Sequence, residues 1–191
     1  MDPLLFTDSV RFAHILAVCA GLGTSILADH HAARRMGRRI DDALLSTLHQ
    51  YHRVVILALV GMWVTGVAMI GIRTGFDTAL MTPKLMAKVV TVTVLTVNAC
   101  AIAWVAMPIL HKARGRSIAE LPARTRTLLS LIGGISTASW MLALAMGVSK
   151  VLAASPAATF VYLMPAAYVA ATLGAATLLL SVRPVVAVRV H

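Results

Sequence analysis

Apolar residues gather in five long blocks, at about 10–28, 54–72, 89–110, 128–148 and 160–182, joined by short polar connections. Each block holds roughly the 20 residues that a helix needs to cross a hydrocarbon layer about 30 Å thick. The pattern predicts an all-α, polytopic transmembrane bundle of five helices. The spans take up more than half of the 191 residues. No connection is long enough to bury a core of its own, so the chain reads as a single membrane domain, 1–191. Local signals refine the picture. Asp41 and Asp42 before Ala-Leu-Leu look like a helix start that extends the second span downward. Pro83 suits the first turn of the third span, and Pro165 bends the fifth. Spans four and five carry runs of Gly, Ala and Ser, among them Gly133, Gly134, Ser136, Ala170, Ala171 and Gly174. Such runs are packing faces that let helices approach closely in lipid, not phosphate loops.

Composition agrees, with 59% hydrophobic and 13% charged residues, against roughly a half and a quarter in soluble domains. The first seven residues carry an acid and a proline but no basic stretch, and they lead straight into a full span. They do not read as a cleavable signal. Cys19 and Cys100 fall inside predicted spans and read as small packing residues. A formal charge of +10 suggests nucleic acid, but its distribution excludes that reading. Arg34, Arg35, Arg38, Arg39, Arg53, Lys112, Arg114, Arg116, Arg124, Arg126, Arg183 and Arg189 fall on one side of the predicted membrane. Only Arg11, Arg73, Lys84, Lys88 and Lys150 fall on the other. By the positive-inside rule the N-terminus lies outside and the C-terminus in the cytoplasm. The chain is expected in the cell inner membrane as a multi-pass protein, with the bilayer as its first partner.

Histidine is the main chemical signal. His30, His31, His49, His52 and His111 fall near the cytoplasmic ends of spans one to three, and His49 and His52 are spaced i, i+3. They can be read as amphipathic side chains at the headgroups, or as a layer that ligates a metal ion or a heme. His14 lies inside span one, beyond the reach of any headgroup, so its ring must ligate, handle a proton or bridge helices. In span three Lys84, Lys88, Thr91 and Asn98 share a stripe with Leu95. Lys84 can snorkel to the interface, Lys88 can meet an anionic group, and Asn98 suits a helix-to-helix hydrogen bond. The ten methionines are mostly filler. The chain has no phosphate-loop motif, no Cys-x-x-Cys-His, no His-Glu-x-x-His and no carboxylate pair within a span.

Span one reads Arg11-Phe-Ala-His14-Ile-Leu-Ala-Val, followed by Gly21-Leu-Gly23. Span two holds Tyr51-His-Arg-Val-Val and Trp63-Val-Thr-Gly66, and span three opens Pro83-Lys84-Leu-Met-Ala-Lys88 and runs on to Asn98. Over about residues 10–105 this resembles the small membrane proteins of the HemJ and CopD type. Those carry a first-helix histidine, a Trp-x-x-Gly in the second helix and a lysine near the start of the third. The resemblance matches His14 and Lys84 to that histidine and lysine. The fifth span and the histidine-rich boundary depart from the pattern. The resemblance implies a bundle that binds heme b and passes electrons to or from a quinone or a porphyrin, with a copper-linked branch. With the residues singled out by position, the expected cofactor residues are His14, His49, His52, His111, Lys84 and Lys88. For a copper or zinc ion they are His14, His30, His31, His49, His52 and His111. A third reading is a non-catalytic subunit of a homo-oligomer or larger membrane complex.

Overall fold

The computed structural model describes residues 2–181, and among these it is helical with no strand longer than one bridge. The helices are α1 (Pro3–Arg35), α2 (Asp42–Thr74), α3 (Pro83–Ala101), α4 (Met107–Lys112), α5 (Ala123–Val148), α6 (Lys150–Ala153) and α7 (Ala157–Ser181). A π-helical stretch, Ile102–Ala106, joins α3 to α4. Five runs, Pro3–Arg35, Asp42–Thr74, Pro83–Lys112, Ala123–Val148 and Ala157–Ser181, are long and apolar enough to cross a membrane. This is the five-helix bundle that the hydrophobic pattern predicts. Arg183, Arg189 and the last residue of the fifth predicted block lie outside the described residues.

Helix starts follow local chemistry. The Asp41 carboxylate accepts from the Leu44 N–H at 2.8 Å and starts α2. Thr82 caps α3, whose first residue is Pro83, a position where the missing N–H costs nothing. Gly75, with φ of 58°, ends α2 in the left-handed conformation that a side chain disfavours. The π-helical stretch has a local cause too. Pro108 lacks an N–H and its ring crowds the carbonyl four residues back, and the wider turn just before it relieves both.

The helices overrun the apolar blocks at the end of the bundle that carries most arginines, here the basic end. There α2 and the two basic connections build a core of their own. Ile40 N–H donates to Arg116 O and Gly115 N–H to Ile40 O, both at 2.9 Å. This pairing buries Ile40 with Leu44, Leu45, Ala113, Ile118 and Leu121. Neither connection could do this alone, which is why each reads from sequence as too short for a core. Ion pairs from Arg35 to Asp41 and from Arg114 to Asp42 tie its rim.

Within the bundle α1 lies along α2, and α5 packs on α3 and α7. The small-residue faces of the last two spans meet each other. A Cβ on Gly134 would stand 2.6 Å from Thr172 Cα, so only glycine allows this approach. Gly21 of α1 admits the buried Trp140 ring in the same way. Asn98 Nδ2 donates to Ile132 O at 3.1 Å, the helix-to-helix bond its position predicts. Trp63 Nε1 donates to Thr96 Oγ1 at 3.0 Å and joins α2 to α3. Such bonds contribute about 0.6 kcal/mol each in lipid, so close packing does most of the assembly.

Candidate functional site

Two polar places interrupt the apolar interior. The first lies toward the end opposite the basic one. His14 of α1 places Nδ1 2.8 Å from Thr65 Oγ1 of α2, and that hydroxyl back-bonds to Gly61 O at 2.6 Å. With the single Thr65 proton on Gly61 O, the hydroxyl accepts from His14 Nδ1–H, which leaves Nε2 with a free lone pair. Gly66 stands against the ring, since a Cβ there would lie 3.6 Å from His14 Cε1. Lys88 of α3 is within electrostatic reach of His14, Lys84 and Arg73. Lys84 Nζ donates to Ser149 O at 2.8 Å, so it caps the end of α5. Among the described residues none of Lys84, Lys88 and Arg73 forms an ion pair with an acid.

The second place is a cavity of about 350 Å³ near the basic end, between α1, α2, the π-helical stretch, α5 and α7. Its walls are mostly apolar. The polar groups facing it include Ser25, Asp29, Tyr51, His52, Ser136 and Thr137. Thr137 Oγ1 donates to Asp29 Oδ2 at 3.1 Å. Asp29 Oδ1 and both ring nitrogens of His52 make no hydrogen bond within the described residues. Ser25 and Ser136 meet at 3.4 Å across α1 and α5.

The remaining histidines lie around this cavity rather than in it. His31 Nδ1 sits 3.2 Å from Leu27 O and 3.3 Å from the Tyr51 hydroxyl, on the outer side of α1 and α2. His30 is beside it, ring centroids 6.4 Å apart. His49 meets His111 edge to face at 6.5 Å, in a surface cleft that Asp42 also lines. His111 Nδ1 is held by Met107 O at 2.9 Å. The structure thus brings together His49 with His111, and His31 with Tyr51, while His52 turns to the cavity and His14 is far from all of them. Among the described residues no three His, Cys, Asp or Glu side chains converge as they would around a metal ion.

Comparison with protein-family models, curated proteins and solved structures returned no match.

Two participants escape the sequence reading, Asp29 and Thr137. Asp29 follows the first apolar block and reads only as the neighbour of His30 at the helix end, but α1 continues six residues beyond it to Arg35. A carboxylate on a continuing helix near the membrane boundary is the signal that could have found it. Thr65 was likewise visible only as part of Trp63-Val-Thr-Gly66.

Proposed function

We propose that this chain is a b-type-heme redox protein of the inner membrane, of the HemJ and CopD kind, with its basic end in the cytoplasm and its N-terminus outside. The observation that carries the reading is the meeting of His14 with Thr65 and Gly66 across two helices, with Lys88 of α3 in electrostatic reach. A heme needs a nitrogen lone pair aimed away from the backbone, a partner that fixes the other ring nitrogen, a small residue beside the ring and cations for its propionates. His14 Nε2 would be the ligand, and Thr65 holds Nδ1. Gly66 lies beside the ring, and Lys88 and Arg73 supply positive charge that no acid of the described residues neutralises. When bound, heme b supplies one-electron chemistry. The chain's part is to set ligand basicity, keep water out and place charge that tunes the potential. A quinone or a porphyrin is the electron partner suited to a site reached from lipid.

The absorption spectrum of the purified protein tests this directly. A Soret band that disappears in His14→Ala, while the protein still inserts, supports the reading. A colourless protein with stoichiometric copper or zinc selects the metal-binding alternative. A colourless, metal-free protein selects the subunit reading. Full heme content in both His14→Ala and Lys88→Ala moves the site to the histidines at the basic end.

A further inference from the structure

The cavity near the basic end does not belong to the His14 site. Ser25, its nearest α1 residue to His14, lies eleven residues along the helix, about 16 Å away. We propose that it binds the head group of a lipid-soluble quinol. The argument rests on what the cavity offers and what it would reject. At about 350 Å³ it is at the lower end of ligand pockets and suits one substituted ring. The walls over the ring are apolar, with Val55, Ile102 and Met107 among them. Among the described residues Asp29 Oδ1 is an acceptor without a donor, because Thr137 occupies only Oδ2. His52 brings two ring nitrogens, one donor and one acceptor in the neutral form. A ring with a hydroxyl at each end can donate to the Asp29 carboxylate and bond His52 at the other end.

Other occupants fit worse. A cationic ligand would suit Asp29 but must approach through the field of Arg34, Arg35 and Arg53. An anionic ligand would meet the Asp29 carboxylate. An oxidised quinone carries only acceptors, and facing Asp29 it would oppose acceptor to acceptor. The way in also favours a lipid-soluble molecule. Asp29 and Thr137 are exposed where α1 faces α5. Leu178 both lines the cavity and is 66% exposed on the outer face, a path for an alkyl tail. Gly133 stands at this opening with no atom within 4 Å of where its Cβ would be.

The test is anaerobic calorimetric titration of the detergent-solubilised full chain with decylubiquinol and, separately, decylubiquinone. Saturable binding with one site per chain is expected, with the quinol preferred. Asp29→Asn should weaken quinol binding about tenfold or more, the scale of a hydrogen bond to a charged group. Because the new amide can donate, it should also shift preference toward the quinone. Gly133→Leu should block the opening and remove binding while helix content and elution volume stay unchanged, since nothing lies within 4 Å of where its Cβ would be. No saturable binding, equal binding of both forms that ignores Asp29→Asn, or normal binding in a folded Gly133→Leu would each overturn the proposal. The outcome is separable from the heme reading. His14→Ala should keep quinol binding, and a Soret band without quinol binding sinks only this inference. Quinol binding without a Soret band sinks only the other.

Discussion

Gly133 and Gly134 are neighbours that the fold uses in opposite ways, and alanine at each should give opposite results. At Gly134 an added Cβ would lie 2.6 Å from Thr172 Cα, 2.9 Å from Thr172 N and 3.0 Å from Ala171 C. Carbon atoms in contact settle at about 3.5–4.0 Å, so α5 and α7 must part by roughly 1 Å. The obstacle is backbone, which cannot rotate away as a side chain can. Overpacking of this kind costs about 1–3 kcal/mol, and the upper half of that range is expected here. At Gly133 the same methyl meets nothing within 4 Å, so Gly133→Ala should stay within about 0.5 kcal/mol of the parent. Reversible unfolding in mixed micelles with increasing SDS measures both. A third variant checks the geometry: because the clash is with main-chain atoms, Thr172→Ala should not rescue Gly134→Ala. Equal stability of the two glycine variants, or rescue by Thr172→Ala, would refute the close approach of α5 to α7.

Asn98→Leu removes the buried bond to Ile132 O and should cost about 0.6–1.7 kcal/mol in the same assay; a stabilised variant would show that the bond does not form. Thr65→Val keeps the shape beside His14 but deletes its hydrogen-bond partner. On the heme reading this lowers cofactor affinity about 10–100-fold, and Thr65→Ser restores it, as read by Soret absorbance per chain. The Leu44 N–H and, less strongly, Arg35 hold the Asp41 carboxyl below its ordinary value. The start of α2 is therefore supported above the ordinary carboxylate range, and that support is lost as pH falls through the lowered value. Asp41→Asn should flatten the acid limb of a stability profile, and an unchanged limb counts against the cap. Finally, a reporter in the 76–82 connection should read outside and one in the 113–117 connection cytoplasmic, and the reverse at both positions overturns the orientation.

The bilayer explains why so much of the fold is legible in the sequence. A helix that crosses it needs a fixed apolar length, so five blocks become five helices, and Asp41, Pro83 and Asn98 act as their positions predict. Where the water begins again this constraint ends, and the reading by blocks loses hold. The first block stops at Asp29 because a carboxylate breaks an apolar run, yet the helix continues to Arg35, and Asp29 becomes a cavity wall. The histidine spacing leaves the direction of each ring open for a related reason. Positions i and i+3 share a face only loosely, about 60° apart around the helix. That angle is enough to turn His52 toward α1 and the cavity while His49 turns toward His111.

Charge pairing connects the two sites in a way that no short motif could show. Near the basic end three arginines face carboxylates at or outside helix ends: Asp41 holds Arg35, Asp42 holds Arg114, and Arg116 reaches toward Glu120. Asp29, a few residues before Arg34 and Arg35 on the same helix, is bonded by none of these, and among the described residues its one partner is Thr137. At the opposite end the imbalance is reversed: among the described residues Arg73 and Lys88 pair with no acid, and Asp77 spends its carboxylate on capping its own turn at Ala79 N–H. Unpaired charge of one sign in an apolar setting is costly unless a partner arrives. The cationic end therefore suits an anionic cofactor group and the Asp29 cavity suits a neutral hydrogen-bond donor. Exchanging those two ligand classes would leave both charges opposed.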